Sequence, residues 1–284
     1  MFQTLRQIKA RIKSVESVKR MTWAMEMVSA SKLRSIQAIL AGARAYHAEM
    51  EALLGRLLAS CGDIRHPFLE DRPGNDKSIL FVSASDTGLC GGYNNSIVSK
   101  VMEYVGKRPE GSVSFAVLGK KAAGYFERRC MKVIRTYPEM YGRYSGVKAK
   151  EIAGDLVGMF TDGLPGEINA VYSSFTSVGR HEVVAEKILA VRPPAGAVEE
   201  IIIEPSAASV IERLLPAYVE SKVKCVMLNA FASEHSARVI SMGEATNNAR
   251  DMLDGLILAR NKTRQAGITR EIIEVISASD ALKG

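Results

Sequence analysis

The chain has 284 residues, a net charge of +7, 47% hydrophobic and 24% charged residues. That supports one large domain or two smaller ones with a sizeable, mostly aliphatic core. No apolar run approaches the roughly 20 residues of a membrane-spanning helix. The four cysteines and four histidines show no metal-ligand spacing and no CxxC, so a metal or redox centre is not expected. Cys61, Cys90, Cys130 and Cys225 read as reduced, mostly buried thiols of a cytosolic protein.

The N-terminal segment reads as one long helix over 1–58. Apolar residues recur in steps of three and four from Phe2, Leu5, Ile8 and Ile12 through Val28 to Leu53 and Leu57. No proline interrupts it before Pro67. At 1.5 Å per residue it would run about 85 Å. Residues 1–34 carry eight basic side chains against Glu16 and Glu26, so most of the excess positive charge sits here. That face fits nucleic acid, an anionic membrane or an acidic protein surface. No apolar signal-peptide core is present. A basic amphipathic presequence is set aside because the same period runs far past residue 30.

The centre alternates. Lys77 to Ala84 reads as a strand, Ser96 to Gly106 as a helix, Ser112 to Leu118 as a strand and Lys120 to Arg129 as a helix. Met131 to Tyr137 is a strand, Val147 to Phe160 a helix, Glu167 to Phe175 a strand and His181 to Val191 another, after a short turn. Such alternation with short loops predicts a mostly parallel sheet flanked by helices over 76–192. Pro193 to Pro205 reads as a linker. Pro216 is placed to open a second long helix as a first-turn residue, after a short helical lead-in at 207–215, and no proline follows it. The C-terminal segment, 206–284, would span roughly 100 Å if unbroken.

A domain of ~130 residues has a radius of gyration of about 14 Å, too small to cover either helix. The two terminal helices should therefore pack on each other as an antiparallel coiled coil. Small residues from Ala230 and Ser233 through Ala237 to Ser241 and Gly243 suit close helix approach. The fold class is thus α/β: an antiparallel two-helix coiled coil from the chain ends plus a central α/β domain.

The stretch SASDTGLCGGYN, residues 83–94, offers two catalytic readings. Asp86-Thr87-Gly88 is the signature of an aspartic protease, but that chemistry needs two such loops sharing one proton, and the chain has one. Gly88, Gly91 and Gly92 invite a phosphate loop, but the spacing fits neither G-x-G-x-x-G nor G-x-x-x-x-G-K-[ST]. The remaining reading is a shaped, non-catalytic turn after the first strand, in which Asp86 accepts turn or helix-capping hydrogen bonds.

Three blocks resemble the gamma subunit of F-type ATP synthases. RIKSVESVKRMTWAMEMVSASKLR, residues 11–34, resembles its N-terminal signature, and SDTGLCGGYN, residues 85–94, its central segment. SEHSARVISMGEATNNARDMLDGLILARNKTRQAGITREIIEVI, residues 233–276, resembles its C-terminal signature. The resemblance implies a central rotor shaft, non-catalytic and without cofactor or bound nucleotide. It implies alpha and beta subunits as a surrounding ring, and the epsilon subunit and the membrane c-subunit ring as partners at the base. It also implies ion-driven rotation coupled to ATP synthesis and a place at the cytoplasmic face of the inner membrane. A pattern that enters its helix directly after Met1 favours a bacterial protein. The resemblance carries rotor–stator contacts onto Met25, Arg238, Arg264, Gln265, Thr269 and Glu271. Trp23 stands where the family commonly has Lys, and Thr87 where it has Arg. The alternative is a basic coiled-coil nucleic-acid binder or scaffold. Against it, residues 231–284 carry seven basic and seven acidic side chains, a net of zero.

Overall fold

A computed structural model describes residues 4–61, 66–70, 72, 74–163, 165–192, 203–204 and 206–283. In chain order the elements are α1 Leu5–Cys61, β1 Ser78–Ser83, α2 Tyr93–Gly106, β2 Val113–Leu118 and α3 Lys120–Arg128. Then follow β3 Val133–Tyr137, α4 Gly146–Thr161, β4 Glu167–Ser177, β5 Arg180–Leu189 and α5 Ala207–Lys283. All the expected strands and helices are present. The expected linker lies outside the described residues apart from Ile203 and Glu204.

Two features of the helices differ from the sequence pattern. α2 begins at Tyr93, because that residue is buried and its hydroxyl donates to the Ala230 carbonyl at 3.0 Å, fixing the first turn. α5 is one helix with Pro216 inside it rather than in its first turn. Ser206 opens it, its Oγ accepting the Ser209 N–H at 3.3 Å as an N-cap does. Pro216 removes one backbone donor, a cost of about 3 kcal/mol in a bare helix. Ile211, Leu215 and Val219 are fully buried around it and offset that loss.

Contacts divide the chain into two compact units, and the cuts fall within both long helices. The larger is Ser29–Arg238. Its five strands lie in the order β3-β2-β1-β4-β5, the first four parallel and β5 antiparallel to β4. β1 is central and buried along its whole length, as a strand covered on both faces must be. Its side chains alternate. Leu80 and Val82 pack with Ile97 and Val101 of α2 and Phe126 of α3. Ile79 and Phe81 pack with Ile152 and Leu156 of α4, Leu40 and Leu54 of α1, and Val223 and Phe231 of α5. Within this unit α1 and α5 pair antiparallel: the Cys225 thiol donates to the Ala43 carbonyl, His47 meets Ser221, and Tyr218 meets Glu51. Cys90 and Cys225 are buried, but Cys130 is exposed at the end of α3. Its φ of 55° places Cys130 in a turn, the exception among thiols expected to be mostly buried. The Cys61 side chain lies outside the described residues.

The smaller unit is Met1–Val28 with Val239–Gly284. Here too the helices run antiparallel. Ile8 and Ile12 cluster with Leu253, Leu256 and Ile257, the Thr246 hydroxyl donates to Thr22 Oγ1 at 2.8 Å, and Gly243 faces the Glu26 carboxylate. The expected apolar stripe is only partly used: Val18, Met21 and Val28 are exposed.

Candidate functional site

The segment from Ala84 to Gly92 follows β1 at the carboxyl end of the sheet. Asp86 is buried and serves as a backbone organiser. Its Oδ1 accepts the Lys120 and Glu139 N–H groups, each at 3.1 Å, and its Oδ2 accepts the Tyr141 N–H at 2.7 Å. Lys120 is the first residue of α3, so Asp86 caps a helix far along the chain. Three backbone donors consume the carboxylate, which leaves it no protease role. Ser85 ties the loop inward: its Oγ donates to the Thr87 carbonyl at 2.7 Å and its N–H to Asn94 Oδ1 at 3.1 Å. Of the three loop glycines only Gly91 has a positive φ, 56°; Gly88 is half-buried and Gly92 precedes α2.

In doubly wound sheets, ligands bind where the strand order reverses, here outside the carboxyl ends of β1 and β4. In this chain α5 fills that crevice. The Ser233 hydroxyl donates to the Ser173 carbonyl at 2.9 Å, and Ser236 Oγ accepts the Gly179 N–H at 3.1 Å. Arg238 donates from Nη2 to the Thr87 carbonyl at 3.2 Å and to Thr87 Oγ1 at 3.1 Å, with longer bonds to the Gly88 carbonyl. A helix therefore stands where a nucleotide would. The Thr87 side chain thus takes part in the contact as an acceptor.

A buried charge cluster supports the contact. Arg238 Nη1 lies 2.8 Å from Glu234 Oε1, and both side chains are at most 6% exposed. Among the described residues Arg238 is the group placed to compensate the Glu234 carboxylate, as an ion pair. Burial pushes the Glu234 carboxyl up, and Arg238 reverses only part of that. His235 adjoins Arg238. Its ring meets the Gly142 carbonyl at 2.9 Å and Arg238 Nη1 at 3.3 Å. With Arg238 donating to Nδ1, the imidazole proton is on Nε2 and the ring is neutral. Burial brings its pKa down to about 4, with the Gly142 hydrogen bond opposing and Arg238 reinforcing. Gly142 has φ 62°, and a Cβ there would lie 2.3 Å from His235 Nε2, so this approach requires glycine.

The other candidate residues sit apart from this cluster. Met25 is half-buried on α1, while Arg264, Gln265, Thr269 and Glu271 are exposed on α5. Around them Ile268, Ile272, Ile273, Val275 and Ile276 are all at least half exposed. Trp23 is 57% exposed. Arg238 belongs to the buried cluster. Glu234, His235, Tyr93 and Gly142 escape sequence reasoning. The signal for the first two is a run of polar residues, SEHS, inside an otherwise small and apolar helix face. Among the described residues no group of three His, Cys, Asp or Glu could hold a metal ion, and no helix is long and apolar enough to cross a membrane.

A family model described as ATP synthase matches residues 4–282. The chain is 36% identical over 282 residues to a protein named ATP synthase gamma chain from Moorella thermoacetica, covering 98% of this chain and 99% of the relative. It is 35% identical over 284 residues to the protein of the same name from Pelotomaculum thermopropionicum, covering 99% of each. Two chains from cryo-EM structures of the Euglena gracilis mitochondrial ATP synthase share the fold. One, from the rotor, aligns with a TM-score of 0.64 at 14% identity over 93% of this chain and 98% of its own. The other, from an OSCP/F1/c-ring structure, aligns with a TM-score of 0.68 at 15% identity over 98% and 94%.

Proposed function

The chain belongs to the ATP synthase gamma-chain family, and from that premise we propose that it is the central-stalk rotor of a bacterial F-type ATP synthase. It carries out no bond chemistry itself. Helices 1–58 and 206–284 form the shaft, inside a ring of alpha and beta subunits. The 76–192 domain docks on the epsilon subunit and the c-subunit ring at the cytoplasmic face of the inner membrane. Ion flow turns the c-ring and this chain with it. A single helix pair in a roughly threefold ring is asymmetric, so each beta subunit meets a different face of the shaft. Nucleotide affinity then depends on shaft angle, which couples distinct sites through one stiff element.

One observation carries the reading. The match spans the whole chain, and the end of α5 that it includes exposes five β-branched apolar side chains between Ile268 and Ile276. A helix end of that kind is not stabilised by its own chain and suits a surrounding sleeve. Met25, Arg264, Gln265, Thr269 and Glu271 are proposed to touch the ring directly. Arg238 is proposed to act through the 84–92 loop that it holds. The family match leaves the nucleic-acid alternative without support.

The test is reconstitution with the alpha and beta subunits. The chain should co-purify with them and restore cooperative ATP hydrolysis. Failure to do either overturns the proposal.

A further inference from the structure

A cavity of about 360 Å³ opens at the amino ends of β1 and β4, the end of the sheet opposite the Asp86 loop. That volume lies within the range of small-molecule sites. Arg72, Lys107, Arg108 and Lys187 line it, against the carboxylates of Asp76 and Glu167.

The two arginines are held in place rather than free. The Arg108 guanidinium lies 3.7 Å from the centre of the Tyr104 ring and donates to Glu167. The Arg72 guanidinium lies 4.4 Å from the centre of the Phe160 ring and donates to the Pro165 carbonyl at 3.1 Å. A guanidinium has five N–H donors, so each retains donors beyond these bonds. Lys187 Nζ stands 3.1 Å from Glu167, whose carboxylate also accepts the Tyr104 hydroxyl at 3.3 Å. Lys107 pairs outward with Glu103 at 2.7 Å. Even with Lys107 neutralised in this way, three cations face two carboxylates across the cavity.

Planar, ring-backed guanidinium groups beside a lysine recognise oxyanions, phosphate above all, because little side-chain freedom is lost on binding. We propose that this cavity binds a phosphate group. Arg72, Arg108 and Lys187 are its ligands, and Glu167 spaces Arg108 and Lys187 when the site is empty. The inference stands on this chain's own side chains and is independent of the rotor reading. The phosphate could belong to a soluble anion or to a lipid headgroup, and the test separates the two.

The full-length chain is titrated with inorganic phosphate and followed by calorimetry. In a second arm it is sedimented with vesicles of phosphatidylglycerol or of phosphatidylcholine. Saturable phosphate binding, weakened at least tenfold by Arg72→Gln and by Lys187→Gln, supports a soluble ligand. Sedimentation with phosphatidylglycerol alone, reduced by the same variants, supports a headgroup. Glu167→Gln removes a competing negative charge and should tighten either interaction severalfold. Lys107→Gln alters an exposed rim and reads a smaller loss should Arg72→Gln fail to fold. No saturable binding in either arm, or binding indifferent to these substitutions, overturns the proposal.

Discussion

The Asp86 carboxylate caps the helix that begins at Lys120, accepting its backbone N–H at 3.1 Å across 34 residues of sequence. The same group takes the N–H of Glu139 and of Tyr141, so one side chain joins the loop after β1 to the starts of two distant segments. Asp86→Ala orphans all three donors. Each costs about 1–3 kcal/mol when buried, and these are partly reached by water, so the expected loss is roughly 3 kcal/mol. Asp86→Asn keeps one acceptor oxygen and should lose less. Urea unfolding of the three proteins checks the order. Equal stability of wild type and Asp86→Ala would show that the cap is incidental.

The Glu234–Arg238 pair predicts an asymmetry. Arg238→Ala leaves a carboxylate buried with no counter-charge and takes the guanidinium donors from the Gly88 carbonyl, while the Thr87 carbonyl keeps only Ser85 Oγ. The expected cost is about 3–5 kcal/mol. Glu234→Gln leaves Arg238 with its loop carbonyls and should cost clearly less. Replacing both, as Glu234→Leu with Arg238→Met, should recover most of the loss, since a buried ion pair exchanged for apolar residues of similar size is often neutral. A double-mutant cycle in urea measures this. Additive losses would mean the two residues act independently.

How much of this was legible in the sequence follows from the range of each signal. Period-two and period-three-to-four patterns are local, and they located every strand and helix to within a few residues. Boundaries set by distant contacts were not legible. Tyr93 starts α2 because of Ala230, and α5 runs through Pro216 because the residues around that proline are buried. The motif SDTGLCGGYN signals a bend, with Asp86 as a turn or capping acceptor, and Asp86 does accept the first N–H of a helix. That the helix it caps is α3 depends on residues 34 positions away. The resemblance to the gamma-subunit family places Arg238 among the rotor–stator contacts, yet its side chain is buried. Its burial follows from Glu234 one turn earlier and from the Thr87 carbonyl, which no spacing rule connects. The Gly142–His235 contact left no local trace at all.

His235 gives the pH prediction. Its pKa is lowered to about 4 in the fold from an ordinary 6.5, with burial the main cause. Between those values the unfolded chain takes up a proton that the folded chain refuses. The contribution to stability is therefore complete above pH 6.5 and is lost as pH falls toward 4, by roughly 3 kcal/mol in all. His47 and His66 are lowered too and act in the same direction, whereas the raised carboxyl of Glu234 acts in the opposite one. Comparison with His235→Gln isolates the term, since Gln can still donate to Gly142 and accept from Arg238. Unfolding free energies at pH 7 and pH 4.5 should differ less in the variant than in the wild type. Identical pH slopes would remove His235 from the account.

The end of α5 should be dispensable for the fold. Residues 264–279 are exposed throughout, so deleting 265–284 removes almost no surface that the described side chains bury. The urea midpoint is expected to shift by less than about 0.5 kcal/mol equivalent. Coupled ATP hydrolysis in the reconstituted complex should fall, because the contacts proposed for Gln265, Thr269 and Glu271 go with that segment. Global unfolding on truncation would make it part of the core instead.

Trp23 offers a direct view of assembly, because it is the single tryptophan and is 57% exposed in the free chain. Met27 lies one turn further along the same helix and is also exposed, so the pair forms a small apolar surface where the family commonly places a lysine. An indole in water emits to the red, and one packed against protein emits to the blue. If the ring encloses this part of α1, adding alpha and beta subunits labelled free of tryptophan fluorescence should shift Trp23 emission to shorter wavelength and protect it from iodide. Trp23→Lys restores the charge at that position. It should weaken assembly modestly if burial of the indole contributes, by about 1–2 kcal/mol for an aromatic moved from water into contact. Unchanged emission on assembly, with hydrolysis nevertheless restored, would place Trp23 in solvent inside the complex and confine the ring contacts to α5.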